Sequence, residues 1–258
     1  LRFRNKENIL LKKYSKKYDQ YEIDKNNIIH KDIKLKLTED LRHIQIEFDR
    51  VIFYLDSIKD NIDSYNRNRY SSESIKEGHI FYHFDQYGRM HTNFTILKSF
   101  IRKNCLTIDG EETCEIDIPN SQPFFLSRLI ELTDSKWVDK KEMDFFTDLV
   151  KSGEYYQYLI NNLDLKSKSD AKDLTYKVMF GQNKKSSDSD IKFSSIFPTI
   201  HNFIKIYKKE YSDYKVLSHH LQKMESNLIF NRVISKIMDT DPSIRCVTIH
   251  DSIIVQKK

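Results

Sequence analysis

The ten residues Cys246 to Val255, CVTIHDSIIV, restrict the fold of this chain more than any other stretch. Two β-branched runs, Cys246 to Ile249 and Ile253 to Val255, flank a polar corner of His250, Asp251 and Ser252. Val, Ile and Thr fit a pleated surface, so the stretch predicts a tight hairpin with a carboxylate at its tip. Asp251 has two readings there: a turn residue, or an acid aimed at a metal ion. A further strand is expected over Glu112 to Ile118, after the Asp109-Gly110 turn signal and ending at Asp117-Ile118-Pro119. Pro119 stops sheet pairing, and Asn120 or Ser121 caps a buried helix expected over Phe124 to Leu132. Asp117 is thus a second acid at a strand end, and it too reads either as a cap or as a catalytic group.

Between the two acids the sequence is mainly helical. Trp137 and the aromatic cluster Phe145, Phe146, Tyr155, Tyr156 and Tyr158 belong to helical packing over residues 134 to 163. Lys168, Lys172, Tyr176 and Phe180 then recur every four residues, followed at once by Gly181. That spacing stacks side chains on one helix face, so two cations and two rings form a ladder. Its chemistry suits a nucleoside triphosphate, with Lys on the phosphates and rings against base and sugar; an accidental amphipathic ladder is the plain alternative. Lys184 to Lys192 is polar and is expected to be mobile. Helices are expected over Ser195 to Tyr211 and Val216 to Met238. The second turns Leu217, Leu221, Met224, Leu228, Ile229, Val233 and Ile237 inward and carries Gln222, Glu225, Ser226 and Asn227 as polar groups able to face a groove.

Ahead of these elements, residues 1 to 35 show no definite pattern. Thr38-Glu39-Asp40 reads as a cap, and Leu41, Ile44, Phe48, Val51, Ile52, Leu55, Ile58 and Ile62 predict one long amphipathic helix. Tyr65 to Ser74 reads as a polar linker. A strand over His79 to Phe84 leads into Asp85-Gln86-Tyr87-Gly88-Arg89, where Gly88 marks a turn and Arg89 is placed to grip a phosphate. Lys98, Arg102 and Lys103 follow at helical spacing, either as a basic track along a nucleic-acid backbone or as a solvated face.

Composition bounds these readings. A chain of 258 residues holds one large domain or one and a half. The net charge of +5, from 43 Lys plus Arg against 38 Asp plus Glu, admits a polyanionic partner without demanding one. Three cysteines without CxxC or Cys/His spacing indicate neither a disulfide framework nor a zinc site, and a reducing compartment is expected. No apolar run approaches the roughly 20 residues that span a bilayer, and no signal peptide opens the sequence. An intracellular, cytoplasmic protein with no membrane partner is expected. Because the sequence opens on Leu1 and stops just past the hairpin, a fragment of something longer is also expected.

The order of these parts resembles the palm and fingers of family A DNA polymerases and the related single-subunit, phage-type RNA polymerases. The parts are a Gly-Arg turn, a strand ending in Asp, a helix written [K/R]xxxKxxx[F/Y]xxx[Y/F]G, and a hairpin with His-Asp. The likeness covers roughly residues 80 to 255 by motif order. It implies an α+β fold: a small antiparallel palm sheet carrying two aspartates, surrounded by helices, with a helical N-terminal part. Residues 1–75 would be that helical part, and 76–258 the palm, with fingers inserted at roughly 134–215. Asp117 and Asp251 would be the motif A and motif C acids, which with the carbonyl of Ile118 hold two Mg²⁺ ions (Mn²⁺ as substitute) about 3.5 to 4 Å apart. Lys172 matches the triphosphate-binding lysine, and Lys168 stands where the family usually has Arg, keeping charge but losing the bidentate fork. Tyr176 and Phe180 would flank the incoming nucleotide, and Arg89, His250 and Gln222 would touch the primer-template duplex, with Arg102 on the same track.

The implied activity is template-directed nucleotidyl transfer from nucleoside triphosphates to a primer 3′-hydroxyl, without proofreading. Gln122 keeps the bulk with which the DNA enzymes crowd a ribose 2′-hydroxyl, and Phe180 lacks the tyrosine hydroxyl of the RNA enzymes, so both lean towards deoxynucleotides. Asp85-xx-Gly88-Arg89 and Ser252 after Asp251 match the RNA polymerase form instead. Synthesis from dNTPs is favoured, with an RNA polymerase or primase, or an inactive palm acting as a nucleic-acid binding module, as alternatives. A protein partner supplying a thumb or processivity is a further possibility.

Overall fold

The computed structural model describes residues 29–133, 136–183 and 187–257. The fold is α+β. Its strands are β1 (Ile44–Ile46), β2 (Tyr82–Phe84), β3 (Met90–Thr92), β4 (Leu106–Ile108), β5 (Glu111–Asp117), β6 (Cys246–Ile249) and β7 (Ser252–Gln256). Five of them form an antiparallel sheet in the order β1-β4-β5-β7-β6, while β2 and β3 pair as a separate hairpin. The β4–β5 link is the expected Asp109-Gly110 turn, with φ of 52° and 80°. Two positive φ values in succession match the right-handed strand twist, and Asp and Gly are among the few residues that tolerate them.

The chain divides into two compact units. Residues 29–118 with 225–257 form the first, which holds both sheets. Its core gathers Ile44, Leu106, Ile108, Val247, Ile249, Ile253 and Ile254 from the sheet with Ile33, Leu37, Val51, Leu55 and Ile101 from helices. β6 lies at the sheet margin yet is buried at all four positions. Its first amide, on Cys246, donates to the Asp40 carboxylate (3.0 Å), which also takes the Lys36 ammonium (2.9 Å). An edge amide that would otherwise lie buried without a partner is thereby satisfied.

Residues 119–224 form the second unit, which among its described residues carries helices and no strand. Ser121–Leu132 is the buried helix expected near Phe124, and Lys140–Ser152 and Tyr155–Leu163 account for the aromatic cluster. Phe146, Tyr155 and Phe197 pack ring to ring, with centroids 5.2 to 6.2 Å apart. The helix Lys168–Phe180 starts at the Ser167 cap and stops at Gly181, where a Cβ would come within 2.3 Å of the Lys177 carbonyl oxygen.

Several expectations are overturned. The single long helix after Thr38 is instead Lys31–Asp40, a 3₁₀ turn Leu41–His43, β1, and the helix Phe48–Asp56. Ile44-Gln45-Ile46 fits the helical period, but the alternation also suits a strand, and pairing with β4 decides it. The polar stretch Tyr65 to Ser74 lies within the helix Ile62–Lys76, capped by the Asn61 side chain on the Ser64 amide. Its buried face is mostly Ser64, Asn68, Ser71 and Ser72, which an apolar period cannot detect. Part of the segment expected to be mobile is helical, Asp188–Ile196, closed by a reciprocal Ser187/Asp190 cap; residues 184–186 and 1–28 lie outside the described residues. The helix expected over Ser195 to Tyr211 breaks before Pro198, which opens Pro198–Glu210. The helix from Val216 continues to Thr240 but widens into a π segment over Ile229–Ile234. Among the described residues no helix is long and apolar enough to cross a membrane.

Candidate active site

β5 ends on Asp117, and the register sets Asp117 opposite Ser252, the first residue of β7. His250 and Asp251 are the two-residue link from Ile249 to Ser252, so the backbone carries Asp251 to the end of the sheet where Asp117 stands. His250 adopts φ of 53°, a region that costs a non-glycine residue about 1 kcal/mol and is held only where surroundings enforce it. The Asp117 carboxyl titrates above its ordinary value. Partial burial is the first cause, followed by the negative charges of Asp251 and Glu115, against a hydrogen bond from the Ile118 amide. Ile118 itself packs against the sheet core.

Glu115 is the site residue that sequence reasoning passed over. Strand alternation puts it on the same face as Asp117. Its Oε1 lies 2.9 Å from the Ser252 hydroxyl, which is also 3.0 Å from the Ile249 carbonyl oxygen. The Arg102 and Lys103 cations each stand 3.7 Å from a Glu115 oxygen. Arg102 therefore lies against the end of the sheet, its Nη1 donating to the Leu97 carbonyl (2.6 Å), and is not part of a solvated face. Carboxylate oxygens are the donor class of hard divalent cations. Among the described residues no three or more His, Cys, Asp or Glu side chains converge in a metal-binding group. A pair of acids still fits a cation such as Mg²⁺, which commonly takes one or two carboxylates and completes its shell with phosphates and water.

The Asp85-to-Arg89 stretch explains its own composition. The Asp85 Oδ1 accepts from the amides of Tyr87 and Arg89 (2.9 Å each), Gly88 takes φ of 84°, and the β2–β3 hairpin closes around them. Arg89 spends its guanidinium inside the protein: Nε and Nη2 both donate to Oε1 of the buried Glu225 (2.8 and 2.6 Å). Asp85 Oδ2 meets His91 Nε2 at 3.0 Å; His91 stacks on His83 at 4.8 Å and meets His250 edge to face at 5.9 Å. Burial, then the Arg89 and His91 charges, lowers the His250 pKa, and its Nδ1 is buried without a hydrogen-bond partner.

The remaining candidates lie in the 119–224 unit. Lys168, Lys172 and Tyr176 are exposed and Phe180 half-buried on one face of their helix, opposite Ala171, Leu174, Val178 and Met179. Tyr176 and Phe180 have ring centroids 5.5 Å apart, and both ammonium groups hang near the Tyr156 ring (6.0 and 5.8 Å). Gln122 is buried in the first turn of its helix, and Gln222 is half-buried on Val216–Leu228. The carbonyl end of the Lys168–Phe180 helix is held by Lys208, whose Nζ donates to the carbonyls of Val178 (2.7 Å) and Gly181 (2.8 Å). No sequence signal marked Lys208, which reads as one more cation in a basic helix end. Compared with protein-family models, with curated proteins and with solved structures, the chain matches none.

Proposed function

We propose that this chain is a template-directed nucleotidyltransferase that extends a primer 3′-hydroxyl, with dNTPs as its favoured substrates. The observation that carries the reading is the register of β5 against β7, which places Asp117 and Asp251 at one end of one sheet, close enough for the Asp251 charge to raise the Asp117 carboxyl. Paired carboxylates offer the oxygen donors that hard divalent cations take. Held by Asp117, Asp251 and the carbonyl of Ile118, two Mg²⁺ ions would supply activation of the attacking hydroxyl and stabilisation of the leaving pyrophosphate.

The chain's own residues do the rest. The two-residue β6–β7 turn sets Asp251 at the tip of a hydrogen-bonded hairpin. Lys168 and Lys172 offer exposed ammonium groups to a triphosphate, and Tyr176 and Phe180 a ring surface to the base. Gln122 would supply the bulk that crowds a ribose 2′-hydroxyl. Arg89 acts by anchoring its hairpin to Glu225, with His250 and Gln222 left to meet the primer-template duplex. The test is primer extension on a DNA template with Mg²⁺, run with dNTPs and with NTPs, and with Asp251→Asn as control. Extension with dNTPs that disappears in the variant supports the proposal. Extension with NTPs alone moves the chain to the RNA polymerase or primase class, and duplex binding that needs no Mg²⁺, without extension of any kind, favours a binding module.

A further inference from the structure

We propose that Glu115 is a positioning residue for the divalent cations of the aspartate pair, a third negative charge that acts from the outer shell through Ser252. The inference rests on the nucleotidyltransferase reading for the identity of the ligand, and on geometry for the role. Glu115 precedes Asp117 by two residues on the same face of β5, a separation of about 7 Å along a strand. Direct coordination distances for hard cations are about 2.0 to 2.6 Å, and Oε1 is instead engaged by the Ser252 hydroxyl at 2.9 Å. Among the described residues Glu115 does not join Asp117 and Asp251 in a three-acid metal group, so it stands behind the pair, tied through the Ser252 hydroxyl to the position opposite Asp117.

Its charge is only partly compensated within the protein. The side chain is only 13% exposed, its Oε2 is buried without a hydrogen bond, and the nearest cations stand off at 3.7 Å. A largely buried carboxylate with one oxygen lacking a hydrogen bond and its cations held at 3.7 Å gains from further positive charge nearby. Ser252 gives the arrangement its stiffness. One hydroxyl lies within hydrogen-bond distance of Glu115 on β5 and of Ile249 on β6, so the hairpin that carries Asp251 is tied to the strand that carries Asp117. Fixing the acids in advance, and adding charge behind them, is what an outer shell does for a metal site.

The test measures Mn²⁺ binding directly, by loss of the free-ion electron paramagnetic resonance signal, on the full chain without nucleotide. Glu115→Gln keeps the oxygen that Ser252 meets and removes the negative charge, and a weakening of roughly 10- to 100-fold is expected. Glu115→Asp, which keeps the charge on a shorter arm, recovers part of the affinity, and Ser252→Ala loses part of it with the charge intact. Unchanged Mn²⁺ affinity in Glu115→Gln overturns the inference. Should that variant fail to fold, unchanged affinity in Ser252→Ala overturns it, and weakened affinity there supports it. Wild-type protein that binds no Mn²⁺ overturns it as well. Tight Mn²⁺ binding that depends on Glu115, with no primer extension, sinks the proposed activity and leaves the role of Glu115 standing.

Discussion

Replacement of Asp40 tests how the sheet margin is secured. Asp40 is 1% exposed; it takes the Lys36 ammonium at 2.9 Å, the Cys246 amide at 3.0 Å and the Arg245 guanidinium at 3.3 Å. Lys36, itself buried, makes its other contacts to the carbonyls of Ile244 (2.9 Å) and Pro242 (3.3 Å). In Asp40→Leu a buried cation loses its counter-charge, at a cost of about 3 to 5 kcal/mol, and the Cys246 amide loses its acceptor, at about 1 to 3 kcal/mol. Both losses fall on one network and do not add fully, so a total near 4 kcal/mol is expected. Asp40→Asn keeps an acceptor for the amide and should cost about 3 kcal/mol. Lys36→Met in the Asp40→Leu background removes the stranded cation and should restore about 2 kcal/mol. Urea unfolding gives the stabilities, and hydrogen exchange at the Cys246 amide reads the margin locally, rising about a hundredfold in Asp40→Asn. A loss under about 1 kcal/mol in Asp40→Leu, or a double variant no more stable than the single one, would refute the reasoning.

Three further outcomes are expected. Lys208 is 3% exposed, and burial pushes its ammonium down to about 8 despite the Asp190 charge. From about pH 8 to 10.5 the unfolded chain holds a proton that the folded one has released. Its unit therefore gains stability with rising pH across that window, by up to about 3 kcal/mol, and the gain is absent below it. Lys208→Met should flatten the slope in urea titrations at pH 7.5 and 10. Gly181→Ala drives a Cβ onto the Lys177 carbonyl and should lower stability by about 1 to 3 kcal/mol in the same assay. Arg89→Ala removes the counter-charge and two hydrogen bonds from the buried Glu225 carboxylate and should cost about 3 to 5 kcal/mol, of which Glu225→Gln in the same chain recovers a large part, as thermal unfolding would show.

What the sequence disclosed followed from local rules. The hairpin at Cys246, the Asp109-Gly110 turn and the helix ending at Gly181 are each written in the residues that form them. The four-residue ladder does occupy one face, because spacing alone fixes that. The helix Ile62–Lys76 stayed hidden because it buries serines and an asparagine, the latter receiving the Lys98 amide across 30 residues. β1 stayed hidden because three residues that fit both periods become a strand only when β4 lies alongside. Glu115 could not be singled out among Glu111 and Glu112, since its meaning comes from a hydroxyl on another strand. The pairing of Arg89 with Glu225, likewise, is a tertiary fact that a Gly-Arg dipeptide cannot announce.

The connectivity of the sheet also sets a clock. β5 leaves the ribosome long before β7, since Glu115 and its partner Ser252 are 137 residues apart in the chain. At synthesis rates of about 5 to 20 residues per second, that interval is roughly 7 to 27 s, during which one edge of β5 carries unpaired backbone groups and an exposed Ile116. The two acids therefore cannot meet before synthesis has delivered β7. Until β6 and β7 emerge, the nascent chain has an open strand and half a site, a state suited to chaperone capture and prone to pairing with its neighbours on the same message.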